Sequence, residues 1–332
     1  MTVGAALDVI GIGNAIVDVI AHADEGFIGR EGLPKGAMTL IDAARAEALY
    51  DRMGPAIESS GGSAGNTMAG IASLGGKGGY VGKVRDDLLG AVFRHDITSI
   101  GVRFATRAAA DGPGTARCLI LVTPDGQRTM ATYLGACVEL GSEDIDPLMI
   151  GSAQVTYLEG YLFDPPRAQD AFRTAARAAH ATGRQVALSL SDPFCVGRHR
   201  AAFRELVMGE VDILFANEHE ICSLYETESF DAAAAAVRGH VGIAALTRSE
   251  KGSLVLAGGD SHRIDAAPVA RVVDTTGAGD LYASGFLYGL THEMPLALCG
   301  ALASLCAAEI ISHIGARPEV SLRELASRAG LI

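Results

Sequence analysis

The sequence predicts an α/β protein in which one mostly parallel sheet is flanked by helices and carries a small β-sheet lid. Three observations carry this. Short β-rich apolar runs alternate with Ala-rich helical stretches, the pattern of strands buried on both faces and joined by helical crossovers. Two segments, 15–40 and 105–137, interrupt that alternation. An apolar fraction of 49% against 20% charged residues over 332 residues describes a chain with a substantial folded core, because disorder needs the reverse balance.

Taken in order, Leu7 to Ile12 reads as the first strand. Ala15 to Leu40 reads as an insertion. A second insertion, Ala105 to Cys137, contains the strand-like runs Thr115 to Thr123 and Arg128 to Leu134 around the turn Pro124-Asp125-Gly126. Paired with each other, the two insertions would form a lid over the C-terminal edge of the main sheet, where open α/β sheets bind ligands. Strands are expected at Gln154 to Leu158, Gln185 to Leu190, Val211 to Phe215 and Ile243 to Thr247, with helices between them and right-handed crossovers. A short strand over Ala270 to Val273 leads into two apolar helices between Ala278 and Ile314, separated near Thr291 to Pro295. No repeat or low-complexity linker divides the chain, so one domain over residues 1–332 is expected.

A formal charge of -12 gives no electrostatic footprint for nucleic acid or for an anionic membrane surface. Asp8 and Asp18 interrupt the first apolar run, no basic segment precedes it, and no run reaches the roughly 18 uncharged apolar residues of a membrane span. A cytoplasmic protein with a small-molecule partner is expected. The six cysteines lack metal or redox spacing, which points to buried reduced thiols.

The chemistry concentrates in Asp274-Thr275-Thr276-Gly277-Ala278-Gly279-Asp280. Two glycines around one small residue at a helix start let successive N–H groups converge, and the helix dipole adds positive potential, so the point suits an anion. Beside a bound phosphate, Asp280 could take the proton of an attacking hydroxyl. A tight turn with Asp280 capping the helix is the plainer alternative. Asn217 and Glu220, three apart at a strand end, can face one spot or form a capping box. Thr247 and Arg248 end a strand and Gly252 opens the next, either beside a nucleotide or as an ordinary turn. Gly61-Gly62 could hinge the lid or simply turn the chain. Gly11-x-Gly13 is no dinucleotide fingerprint, since Ile16 stands at its third position. Gly75-Gly76-Lys77 is followed by Gly78 and is no Walker loop.

The string 274–280, with Gly13-Asn14 and Asp18, Gly61-Gly62 followed by Ser63 and Asn66, and Asn217-Glu218-His219-Glu220, resembles the ribokinase or PfkB carbohydrate kinase family over nearly the whole chain. Leu188-Ser189-Leu190-Ser191-Asp192-Pro193-Phe194 and Val211 to Glu218 are similar to its adenosine kinase branch. The resemblance implies a Rossmann-like (ribokinase-like) core with a β lid. It implies ATP and Mg²⁺, and transfer of the γ-phosphate to a primary alcohol such as the 5′-hydroxyl of a nucleoside, adenosine foremost. It places Gly277, Ala278 and Gly279 in an anion hole, Asp280 as base, and Arg128 at the transferred group. Asn14, Asp18, Gly62, Ser63 and Asn66 are placed around the sugar, with Leu134, Tyr161 and Phe194 around the base. Asn217, Thr247, Arg248 and Gly252 fall on the ATP side, Glu220 on Mg²⁺ through water, and Asp274 and Thr276 beside K⁺. One departure is that the family's lid cysteine aligns with Ala116 rather than Cys118. A sugar kinase for ribose, fructose or 2-keto-3-deoxygluconate shares all but the acceptor pocket, and a catalytically silent nucleoside-binding protein would share the scaffold. Either a monomer or a homodimer is compatible with the resemblance.

Overall fold

The computed structural model describes residues 5–332. Its strands, in chain order, are β1 (Leu7–Ile12), β2 (Ile16–His22), β3 (Met38–Leu40), β4 (Ala56–Ser60), β5 (Gly78–Val81), β6 (Arg103–Phe104) and β7 (Ala116–Val122). They continue as β8 (Arg128–Tyr133), β9 (Ala153–Glu159), β10 (Gln185–Ser189), β11 (Ile213–Asn217), β12 (Ile243–Thr247), β13 (Ser253–Ala257) and β14 (Asp260–Ile264). The helices are α1 (Glu25–Arg30), α2 (Ala43–Tyr50), α3 (Ser63–Ser73), α4 (Leu88–Ser99), α5 (Pro147–Gly151), α6 (Pro166–Ala181) and α7 (Pro193–Arg198). Then come α8 (Arg200–Gly209), α9 (Glu218–Tyr225), α10 (Phe230–Val237), α11 (Ala278–Thr291), α12 (Leu296–Ile310) and α13 (Leu322–Arg328).

Nine strands form the main sheet in the order β14-β13-β12-β11-β10-β9-β1-β5-β6. From β12 to β6 every pairing is parallel, and only β13 runs the other way, antiparallel to both β12 and β14. Alternate residues of each inner strand enter opposite cores: Val9, Tyr157, Ala187 and Ile213 on one face, Ile10, Leu158, Leu188 and Leu214 on the other. This two-sided burial is why the strands read as apolar runs rather than as an alternation. Leu281, Phe286 and Leu302 of α11 and α12 cover the first face. The second is covered by α6, whose Ala168, Ala171, Phe172, Ala175, Ala176 and Ala179 make one helical stripe.

The smaller sheet has the order β3-β8-β7-β2-β4. It joins the two interruptions directly, since β2 runs parallel to β7 with Asp18 opposite Cys118. The β7–β8 hairpin turns at Gly126 (φ 80°), whose amide donates to Thr123 at 2.8 Å while the Thr123 hydroxyl donates to Asp125. Val17, Val19, Leu119, Leu121 and Ala131 point toward Ile28 and Leu49 of α1 and α2. Asp18 therefore faces the opposite way, by strand alternation.

Three local expectations differ from the structure. Residues 270–273 form no strand: the Val273 amide bonds the Ile311 carbonyl at 2.8 Å, so the segment hangs on the end of α12 instead of joining a sheet. β11 begins at Ile213, two residues later than its apolar run. β4 was not anticipated; it pairs with β2. All six cysteines are free and only Cys222 is not fully buried. Among the described residues no helix is long and apolar enough to cross a membrane.

Candidate active site

The ends of β1, β9, β11 and β12 lie on one edge of the main sheet, and the loop 274–277 delivers α11 to the same region. Gly277 is the N-cap of α11 in the left-handed conformation (φ 80°), which a side chain would strain. Gly279 has open space where a Cβ would stand. The Ala278 amide donates to the Thr275 carbonyl at 3.2 Å, and the other amides at this helix start have no carbonyl within the helix to bond, which suits an anion.

Asp280, in that first turn, does not cap its own helix. Its Oδ1 accepts the Ser63 hydroxyl at 2.6 Å and its Oδ2 accepts Asn66 Nδ2 at 3.0 Å, both from the start of α3. Burial pushes the Asp280 carboxyl above the usual carboxylate range, while Ser63, Asn66 and the Arg317 guanidinium oppose the rise. Asn66 Oδ1 remains buried without a partner, an acceptor that a substrate hydroxyl would satisfy.

Gly61 and Gly62 bring α3 against β2. Gly62 has φ 81°, and a Cβ there would overlap the Asn14 carbonyl. One at Gly61 would overlap the Asp18 carboxyl. Asp18 is raised to about 6 by burial, opposed by Arg128 and Arg317 and reinforced by Asp280. Asn14 Nδ2 donates to Glu159 Oε1 at 2.7 Å, and the Ala64 amide donates to Glu159 Oε2 at 2.7 Å. Burial lifts Glu159 to about 7 against these donors. Sequence reasoning missed Glu159, although a carboxylate closing an apolar strand before Gly160 is a signal in itself. The predicted Asn14, Asp18, Gly62, Ser63, Asn66 and Asp280 thus gather around the start of α3.

Arg128, the first residue of β8, pairs with Asp274 at 2.5 Å, both side chains being almost fully buried. Asp274 also accepts the Thr276 amide at 2.9 Å, the Thr276 hydroxyl at 2.7 Å and the Gly315 amide at 3.1 Å. Burial would raise this carboxyl, but these four donors outweigh it and hold Asp274 below its ordinary value. Arg128 Nε is buried and unpartnered.

On the far side, Asn217 and Glu220 do form a capping box, with Asn217 Nδ2 on Glu220 Oε1 at 2.6 Å and the Asn217 amide on Oε2 at 2.9 Å. Burial lifts Glu220 to about 7 even so. Gly252 (φ 76°) turns the chain between Thr247 and β13. Arg248 is tied to Glu218 at 3.1 Å and lies over the Phe230 ring. Leu134 starts a single 3-10 turn after β8. Tyr161 and Phe194 stand out to solvent, 45% and 77% exposed.

The pattern for pfkB family carbohydrate kinases matches residues 46–322. The chain belongs to this family. This pfkB kinase is a phosphotransferase acting on a hydroxyl group of a nucleoside or sugar, and membership implies ATP and, typically, Mg²⁺. The adenosine kinase of Sinorhizobium meliloti is 56% identical over 98% of this chain and 100% of its own, with a TM-score of 0.90. A probable sugar kinase of Rhizobium etli is 52% identical over 99% and 100%, with a TM-score of 0.91. The ATP-dependent ribose-1-phosphate kinase of Halopiger xanaduensis is 31% identical over 78% of this chain and 83% of its own.

Proposed function

We propose that this protein transfers the γ-phosphoryl group of ATP to the 5′-hydroxyl of a nucleoside, adenosine foremost, with Asp280 as general base. The observation that carries the reading is Asp280 itself: a part-buried carboxylate in the first turn of α11, gripped by Ser63 and Asn66 beside the helix start at Gly277, Ala278 and Gly279. The acceptor hydroxyl donates to Asp280, which removes its proton as the oxygen attacks phosphorus. The first-turn amides receive the charge that gathers on the phosphoryl oxygens. Arg128 adds its unpartnered Nε to that charge. Asp18 and Asn14 hold the sugar hydroxyls, and the exposed rings of Phe194 and Tyr161, with Leu134, offer apolar surface to a flat base.

Mg²⁺ neutralises the phosphate chain when MgATP is bound. Both Glu220 oxygens already serve Asn217, which suits a cation that keeps its waters and is held mainly by phosphates. Thr247, Arg248 and Gly252 line the nucleotide side. The K⁺ expected at Asp274 and Thr276 finds those side chains engaged with each other and with Arg128, so its ligands would be main-chain carbonyls. Purine salvage in the cytoplasm, by a monomer or homodimer, completes the reading.

Support for adenosine comes from the Sinorhizobium relative. The Rhizobium and Halopiger relatives favour a sugar or sugar phosphate instead. Acceptor-dependent ADP release across adenosine, inosine, guanosine, cytidine, ribose, ribose 1-phosphate, fructose and 2-keto-3-deoxygluconate decides. Adenosine turning over best supports the proposal; a free sugar or ribose 1-phosphate turning over with adenosine inert overturns the acceptor but keeps Asp280. Asp280→Asn should lose roughly 10²- to 10⁴-fold in turnover while staying folded.

A further inference from the structure

Ser60 is the last residue of β4 and stands immediately before Gly61-Gly62 and the α3 turn that grips Asp280. Two charged side chains from distant parts of the chain converge on it. Arg317 donates to the Ser60 carbonyl from Nε at 3.1 Å and Nη2 at 2.6 Å, and Nη2 also reaches the Ser60 hydroxyl at 2.8 Å. Asp96 of α4 accepts the Ser60 amide at 2.8 Å and its hydroxyl at 2.5 Å. All the polar groups of Ser60 are thereby fixed, and the Arg317 guanidinium passes close beneath α3 at Gly65. None of the residues that resembles a family motif includes Arg317.

We propose that Arg317 is a positioning residue for phosphoryl transfer: it pins the end of β4 through Ser60 and so sets the α3 turn from which Ser63 and Asn66 hold Asp280. The inference rests on the reading of Asp280 as base. The planar fork is what makes arginine fit, since one rigid group reaches a carbonyl and a hydroxyl together, which an ammonium cannot do in the same geometry. Its charge also matters. The Asp280 charge adds to the raised values of Asp18 on β2, Glu159 and Tyr157 on β9, Tyr161 in the turn after it and Glu220 on α9. Arg317 in turn lowers Asp280 against the effect of its burial. Removing it should therefore raise the pH at which Asp280 ionises.

The test compares Arg317→Gln and Arg317→Lys with the wild type, using whichever acceptor turns over, by thermal unfolding, kcat, KM and the pH profile of kcat. Arg317→Gln should lower kcat roughly 10- to 100-fold, the scale of a small misplacement of the catalytic group, and move the acid limb of kcat to higher pH. Arg317→Lys should keep the limb near its wild-type position yet still lose kcat, because it restores the charge but not the fork. Wild-type kcat and an unmoved limb in both variants would overturn the proposal, as would a lowered melting temperature with normal kcat per folded molecule. If Arg317→Gln does not fold, the lysine variant decides by its kcat. A failure of the base reading is separable: it would appear as near wild-type turnover in Asp280→Asn, with Arg317 intact.

Discussion

At the scale of single residues, the site is a set of carboxylates at different levels of desolvation, and their protonation should be visible in the rate. In the proposed reading Asp18 holds the sugar hydroxyls, it accepts from them more strongly when ionised, and burial lifts it to about 6. kcat/KM for the acceptor should therefore rise with pH through about 6, and Asp18→Asn should lose both affinity and that limb. A profile flat from pH 5 to 8 would remove Asp18 from the role. Glu159 leaves its mark on stability. Its folded value of about 7 lies above the ordinary 4.5, so the folded state binds the proton more tightly. The stabilisation is present below about 4.5 and is lost as pH rises through about 7, a change of roughly 3 kcal/mol. Denaturant midpoints at pH 5 and pH 8 should differ less in Glu159→Gln than in the wild type. Asp280 and its glycines were legible because they occupy one unbroken string. Glu159 and Arg317 were not, since Glu159 meets Ala64 from 95 positions away and Arg317 meets Ser60 from 257; such partnerships leave no local spacing to read.

At the scale of elements, two joints govern how the small sheet sits on the main one. The first is Gly62, whose positive φ and contact with the Asn14 carbonyl leave no room for a methyl group. Gly62→Ala should cost more than the roughly 1 kcal/mol typical of a strained left-handed residue and should raise KM for the acceptor, checked by unfolding and steady-state kinetics. The second is the Arg128–Asp274 pair, which ties the β7–β8 hairpin to the anion loop. Asp274→Asn removes the direct ion-pair partner of the buried Arg128, so it should lower stability by up to about 3–5 kcal/mol and accelerate proteolysis at the exposed turn around Gly126. A hairpin as resistant as the wild type would deny the pair that role. The strands of the main sheet were readable because both their faces are buried. β4 was hidden because Ala56 and Ile57 face solvent in a run ending Glu58-Ser59-Ser60, with no apolar alternation to betray a strand. The run 270–273 misled for the opposite reason: Val272 and Val273 make it read as a strand, yet it is bonded to a helix end.

At the scale of the molecule, the proposed function brings acceptor and nucleotide to one sheet edge, and each should stabilise the whole fold. A ligand at a hundred times its dissociation constant adds about 2.7 kcal/mol, which for a chain of this size is a rise of about 4 °C in melting temperature. Adenosine and a non-hydrolysable ATP analogue should each produce such a rise, and ribose alone much less. Equal rises for ribose and adenosine would argue against a base-binding pocket. The strand order carries a further consequence for how the molecule comes into being on the ribosome. β1 is made before both of its ladder partners, β5 and β9, so one of its edges waits until the chain has been extended to residue 159. Asp280 and Arg317 follow later still, from the last quarter of the chain. A nascent chain thus carries a hydrophobic strand with one edge unpaired until β9 is made, a period in which holdase chaperones have the most to protect.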